Sequence, residues 1–330
     1  MATTTYGVVS QRTAAWAASV MLDHARPVIV LGKFGQSKPL PRNTANAVKF
    51  RRPVPFSAAT TPLTEGTTPT AQAMSYVDVT ATMAQYGAVT EITDVVQDLA
   101  EDPVLKDASM LSGEQAGETI EAITYGIVKA GTAVTYANGS ARNAVNTVIT
   151  LAKQRLVIRT LKAQKARPIN SILGPSQNIS SVGIESGYIA VAHTDCEQDI
   201  RDLAGFVPVV KYGTRKPCCD EEIGSVENVR YVLSADLGSF ADAGGAKGLM
   251  YSTTGTSADV YPVIYLGREA FGVVPLKGKG AIKPMVLNPD TPSKSDPLGQ
   301  MGYVSWKCYF TAVILNQNWM NRLEVAVLAL

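Results

Sequence analysis

Residues 48–56 read VKFRRPVPF, residues 74–93 read MSYVDVTATMAQYGAVTEIT, and SAATTPLTEGTTPTAQA runs between them. In the longer stretch Val77, Val79, Ala81 and Met83 fall on one face of a strand, and Asp78, Thr80 and Thr82 on the other. The shorter stretch is a basic, alternating strand. Proline and threonine crowd the connection from Ala58 to Pro69 and exclude a helix there. Two long strands with a polar tip make an extended hairpin, and a lone two-stranded hairpin is marginal in water. Either both strands join an ordinary sheet, or the hairpin lies on something outside its own subunit. It is entered through Gly32-Lys33-Phe34-Gly35 and Pro39-Leu40-Pro41, which are turn sequences.

Upstream, residues 10–25 read as a short amphipathic helix with Ala14, Ala18 and Met21-Leu22 on one face, stopped by Pro27. Downstream, Ser112 and Gln115 stand at capping-box spacing. Ala116, Ile120, Ile123 and Ile127 then recur at helical intervals up to Ala130, which predicts a rod of about 28 Å. Gly131 follows just past its end, where a C-terminal glycine belongs. A second helix is expected over 141–165, with Val145, Ile149, Ala152, Leu156 and Ala163 as its apolar stripe. Its other faces carry Lys153, Arg155, Arg159 and Lys162, a basic surface for nucleic acid or an acidic neighbour, or simply a solvated face. From about 170 to 292 the chain turns to short strands, among them Tyr188–Ala192, Val229–Leu233 and Val260–Leu266, with a short helix over 195–203. It closes on a long strand from Gly302, a turn at 316–318 and a final strand from Met320 to Val327. The class is α+β.

Hydrophobic residues make up 46 % and charged residues 18 % of the 330, with a net charge of +2. That is apolar enough for sizeable cores, and neither a polycation nor an acidic tail. Cys196, Cys218, Cys219 and Cys308 lack paired CxxC spacing, so neither a disulfide framework nor a zinc knuckle is expected. There is no run of about 18 apolar residues to span a membrane. Only two histidines occur, His24 and His193, and no GxSxG, HExxH or Walker sequence. Asp220-Glu221-Glu222 lacks the alternation of a calcium loop and reads as a solvated turn. No catalytic, cofactor or metal residue is predicted, and the chain is not read as an enzyme.

Several stretches carry a resemblance: Pro62-Leu63-Thr64-Glu65-Gly66, Gln85-Tyr86-Gly87, Ile92-Thr93-Asp94, Gly131-Thr132 with Tyr136-Ala137, Ser225 to Arg230, and Asp296 to Gln300 with Trp306-Lys307. In this order and spacing the chain resembles phage major capsid proteins of the Hong Kong 97 fold, and within them the N-four-like phage subgroup. The resemblance covers nearly everything from about residue 10 onward. It implies an N-terminal arm (1–31), an extended hairpin or E-loop (32–93) lying across a neighbouring subunit, and a peripheral P domain (94–169) holding the spine helix (112–130). An axial A domain (mainly 170–295) follows, and closing strands (296–330) return to the P-domain sheet.

It further implies self-assembly as pentamers and hexamers into an icosahedral shell around double-stranded DNA, in the virion, with assembly in the bacterial cytoplasm. Lys49, Arg51, Arg52 and Glu65 are the expected inter-subunit contacts, and Lys153, Arg155, Arg159 and Lys162 the expected interior basic face. Expected partners are further copies, a portal protein, packaged DNA and a possible decoration protein, with no membrane and no cofactor. The short arm ahead of the hairpin points to a separate scaffolding protein. An encapsulin-type compartment shell is the alternative, and an enzyme of an unfamiliar α+β family the more distant one.

Overall fold

The computed structural model describes residues 29–329 apart from 100–103, 174–180, 214, 278–281, 288, 290–291 and 293–295. The helix expected over 10–25 lies outside the described residues. Fifteen strands and four α-helices are described, in the order β1 (Gln36–Ser37), β2 (Ala47–Pro53), β3 (Tyr76–Thr82), β4 (Ala84–Thr93), α1 (Asp94–Leu99), α2 (Val104–Lys129), β5 (Val134–Tyr136), α3 (Leu151–Ala163), β6 (Ile169–Leu173) and β7 (Ser181–Ala192). Then come α4 (Glu197–Arg201), β8 (Phe206–Pro208), β9 (Glu222–Val226), β10 (Val229–Leu233), β11 (Tyr261–Leu266), β12 (Phe271–Pro275), β13 (Lys283–Leu287), β14 (Met301–Ile314) and β15 (Met320–Val325).

Two larger sheets organise the molecule. In the first, β14 is the spine: β4 pairs along one edge, and β12 and β13 share the other. Its burial alternates along the strand, with Val304, Trp306, Cys308 and Phe310 buried toward α2. The second sheet runs β5-β15-β11-β7-β10-β9-β8. Every residue of β10, β11 and β15 is buried, because α3 covers one face and the first core the other. Strands covered on both sides read as near-continuous apolar runs, as in Tyr261–Leu266.

Several expectations need correction. The single strand expected over 74–93 breaks at Met83, so that β3 pairs with β2 while β4 joins β14. The rod helix is already under way at Val104, two turns before the expected Ser112. Its 26 residues span about 39 Å. Ser112 faces the core instead of capping, and the Gln115 side-chain oxygen accepts from Trp306 Nε1 at 3.1 Å. Gly131 is not left-handed. It is small because a Cβ there would approach Met320 Cε to 3.0 Å.

The helix expected over 141–165 shrinks to α3, preceded by a 3-10 turn at Arg142–Ala144. Thr150 caps α3 by accepting from the Lys153 amide. Val145 and Ile149 are buried without being helical, so the stripe extrapolated through them had the wrong phase. Gln154, Val157 and Leu161 are the buried face of α3. The two closing strands also part company, since β14 lies in the first sheet and β15 in the second. The Asn316–Trp319 turn carries the chain between them.

The hairpin root is bedded on its own subunit. Val48, Phe50 and Ala81 are buried with Leu40 and Val274, and Val313 and Leu315 pack against them. Phe50 lies over Gly272, where a Cβ would come within 3.0 Å of its ring. The expectation that the whole arm finds no cover therefore fails for the root. Phe50→Ala should release it: limited proteolysis should spread from the tip into 47–53 and 76–82, while the urea midpoint of the two main cores moves little. A single cooperative loss of about 3 kcal/mol over the whole chain would instead make the root part of the global fold.

Candidate functional site

Beyond the last ladder bond, from the Val54 amide to the Ser75 carbonyl at 2.9 Å, every residue of the tip is exposed. Val54, Phe56, Leu63 and Met74 are 40–76 % exposed there, and Gly66 turns the tip in a left-handed conformation. The twelve Cα-to-Cα steps from Val54 to Gly66 can reach about 40 Å. Large apolar side chains held out this way are covered only by something beyond the subunit.

The residues expected to make inter-subunit contacts separate into two groups. Arg51 is taken within the hairpin, its guanidinium forming a bidentate pair with Asp78 directly across the ladder at 2.8 and 2.9 Å. Arg52 lies over the Trp319 ring, 5.7 Å from its centroid, and its Nε is buried with no acceptor. The Lys49 carbonyl accepts from Lys38 Nζ at 2.8 Å, and its side chain is exposed at the root. Glu65 stands alone at the end of the tip, the only charged residue between Arg52 and Asp78.

The basic face of α3 divides as well. Arg155 pairs with Glu227 at 2.5 Å, and Lys153 Nζ donates to the Tyr136 carbonyl at 2.9 Å. Arg159 and Lys162 remain on the exposed side. The acidic run 220–222 is not a solvated turn. Glu221 pairs with Lys33 at 2.7 Å, while buried Glu222 accepts from Tyr212 Oη at 2.6 Å and faces Arg230 at 3.4 Å. Among the described residues no group of His, Cys, Asp and Glu could hold a metal, and the four cysteines are free. No described helix is long and apolar enough to cross a membrane.

Two buried carboxylates that the sequence did not single out hold the frame. Glu324, fully buried on β15, takes Arg142 bidentately at 2.8 Å and Arg322 at 2.9 Å. Arg322 also donates to the Lys129 carbonyl at the end of α2, tying that helix to β15. Glu121, on the inner face of α2, accepts from the Leu31 amide at 2.9 Å and the Val30 amide at 3.2 Å, where the chain enters the hairpin. With Lys33–Glu221, the hairpin entry is thus pinned to both α2 and the loop before β9.

The sheet beneath the hairpin has an outer face opposite α2. At the β12 end the hairpin root covers it, on Gly272, Val274 and Val313. Toward Met301 it is bare: Val89 stands opposite Ser305, Glu91 opposite Tyr303, Leu287 opposite Tyr303 and Lys283 opposite Lys307. Val89 is 65 % exposed, and Met301, Tyr309 and Leu287 are also exposed.

The resemblance motifs meet across this sheet. Gly87 pairs with Lys307 and Ala88 with Trp306, and a Cβ on Gly87 would lie 2.6 Å from the Trp306 carbonyl. The Asp94 amide donates to the Gln300 carbonyl, so Ile92-Thr93-Asp94 and Asp296 to Gln300 are neighbours too.

This layered α+β body with its exposed arm has counterparts among solved phage capsid structures. The chain matches the capsid of Ralstonia phage GP4 with a TM-score of 0.67 at 11 % identity, covering 90 % of this chain and 88 % of that one. It matches the head structure of Helicobacter pylori bacteriophage KHP40 at 0.61 and 11 % identity, covering 92 % and 90 %. For the cyanophage Pam1 capsid the values are 0.57 and 13 %, with 93 % of each chain covered. No curated protein matches the sequence. The family model described as phage capsid protein matches residues 76–320, about three quarters of the chain, and the chain belongs to that family.

Burial pushes the Glu121 carboxyl from its ordinary 4.5 up to about 7, against the two amide bonds that favour its charged form; Asp236 adds to the rise and Lys33 opposes it. A carboxyl raised on folding contributes stability that is full below its unfolded value and is lost as pH climbs through the folded one. The loss between pH 4.5 and about 7 is on the order of 3 kcal/mol. Glu121→Gln, close in shape to the protonated acid, should lose little at pH 5 and gain on the wild type up to pH 8. Parallel urea-midpoint profiles for the two proteins would show that Glu121 does not titrate there.

Proposed function

We propose that this chain is the major capsid subunit of a tailed phage, with the Hong Kong 97 architecture. In that assignment residues 32–93 are the E-loop, 94–169 the core of the P domain around α2, mainly 170–295 the A domain, and β14 a P-domain strand. Copies assemble as pentamers and hexamers into an icosahedral shell around double-stranded DNA. The observation that carries the reading is the tip, 22 consecutive exposed residues (54–75) that include Phe56, Leu63 and Met74, projecting from a rigidly anchored root. A closed shell of one chain needs heterologous contacts that repeat and close on themselves. Such an arm supplies one end of the contact.

Arg159 and Lys162 are the members of the α3 basic face left for packaged DNA, because Arg155 and Lys153 are engaged within the subunit. Its partners in assembly are a scaffolding protein and a portal in the bacterial cytoplasm, with a decoration protein as an outer addition.

The test is negative-stain microscopy of the expressed chain with and without its scaffold. Closed particles of uniform size are expected, and uniform monomers under every condition would exclude a shell. A second variant isolates the arm. Deleting 36–70 would remove Leu40, Val48 and Phe50 from the core, so the cut belongs further out. Replacing residues 55–74 with an Asn-Gly turn keeps the whole root and suits a two-residue hairpin. That protein should fold as a soluble subunit with an unchanged melting profile and fail to yield stable shells. Normal particles from it would refute the role of the tip.

A further inference from the structure

We propose that Cys218 and Cys219 are a redox-active pair, a modification site where a hydroperoxide closes a reversible disulfide between neighbours and loosens the hairpin entry. The proposal goes beyond the shell reading and does not depend on it.

Adjacent cysteines on a strand would point to opposite faces. Here the pair sits in the turn just ahead of β9, and that turn brings the two Sγ atoms to 3.7 Å. A bond needs them to close to about 2.05 Å. The bond would be strained. Cα atoms across a trans peptide are about 3.8 Å apart, below the usual disulfide span of about 4.4–6.8 Å. A strained disulfide is easily reduced, which suits a switch and not a structural brace.

The two sulfurs differ in access. Cys219 is half-buried, while Cys218 is buried in the wall of a cavity of about 390 Å³ that Glu185, Arg215 and Lys216 also line. The hydrogen bond to Cys219 pushes the Cys218 thiol up, and burial adds to the rise, so Cys218 stays protonated. Cys219 is thus the sulfur that meets an oxidant first. Cys196 and Cys308 lie in different cores, and burial raises both thiols, which keeps them inert.

The chemistry balances with hydrogen peroxide. The Cys219 thiolate attacks one peroxide oxygen and the O–O bond breaks. The hydroxide released takes up the proton that Cys219 gave up and becomes water, leaving a sulfenic acid on Cys219. The Cys218 sulfur then attacks the Cys219 sulfur: the S–S bond forms, the S–O bond breaks, and the hydroxyl leaves with the Cys218 proton as a second water. The two thiols give up two electrons, and one peroxide is reduced to two waters.

The closed ring would be felt at the hairpin entry. The Cys218 amide donates to the Glu222 carboxylate at 2.5 Å, and the Cys219 carbonyl accepts from the Glu222 amide at 3.3 Å. Both groups flank the peptide that the ring must twist. Glu221, two residues past Cys219, holds Lys33 at 2.7 Å. Closure therefore pulls on the Lys33–Glu221 tie.

Mass spectrometry tests the site on the full chain, treated with a few equivalents of hydrogen peroxide and then with iodoacetamide. Trypsin releases residues 216–230 as one peptide, since Pro217 protects the bond after Lys216, and it holds both thiols and no other cysteine. That peptide should lose two hydrogens, resist alkylation, and regain both thiols with dithiothreitol. Cys218→Ser should stop at a Cys219 sulfenic acid that dimedone traps. Amide hydrogen exchange over residues 30–40 should quicken about tenfold in the oxidised wild type, and not in peroxide-treated Cys218→Ser. Two alkylated cysteines after peroxide, or bonds from either one to Cys196, Cys308 or another copy, would overturn the pair. A closed ring with unchanged exchange over 30–40 would overturn its link to the hairpin.

Discussion

The structure depends on the two faces of one strand. Met301–Ile314 presents Val304, Trp306, Cys308 and Phe310 to α2 on one side, and the alternate residues to the outside on the other. Period-two geometry leaves no choice: a one-residue slip would exchange the faces. Gly87 and Gly272 let neighbouring backbone or aromatic groups approach closely, on β4 and β12 respectively. The inner face makes the subunit a folded body. The outer face carries the hairpin root and, beyond it, a surface with no cover from the described residues.

Buried charge appears where separate elements must hold a fixed angle. Glu324 with Arg142 and Arg322 joins β15, the 3-10 turn at Arg142–Ala144 and the end of α2. Such pairs are weak sources of stability, since desolvation offsets much of the attraction, yet losing one partner leaves a buried charge uncompensated. Their value lies in geometry. Glu121 does the same at the hairpin entry, where the amides of Val30 and Leu31 would otherwise be short of acceptors. A stiff entry and a bedded root make the projecting tip an oriented arm instead of a free loop.

Legibility in the sequence followed how local the physical signal was. Val229–Leu233 was readable as a strand to the residue, because Val229, Tyr231, Val232 and Leu233 crowd β-branched, aromatic and aliphatic side chains into five positions. The existence of the hairpin was readable from alternation and turn chemistry, but not the break at Met83, which depends on β14 claiming β4 from two hundred residues away. The phase of α3 misled because Val145 and Ile149 are buried by tertiary packing ahead of the helix. Glu121 was invisible, although it adjoins Ile120 on the inner side of α2, since a glutamate in a helix reads as solvated unless the amides that donate to it are known. Arg51 and Arg52 looked available for a neighbour for the same reason: Asp78 is readable only once the ladder register is known, and Trp319 only once the fold is.

A subunit that leaves apolar surface uncovered must stay soluble before it assembles. The tip manages this by dilution: Leu63 and Met74 are spaced among threonine, serine, glycine and proline, and the prolines at 53 and 55 break the short apolar stretch that ends at Phe56. The bare face manages it with charge, since two opposed lysines make edge-to-face stacking of identical sheets repulsive. Each surface is therefore poorly complementary to itself. Self-mismatch disfavours isologous dimers and leaves heterologous contacts between different patches, the kind that generates rings and closed shells when the rotation closes. The same two lysines that weaken the isolated sheet thereby bias what the sheet can bind.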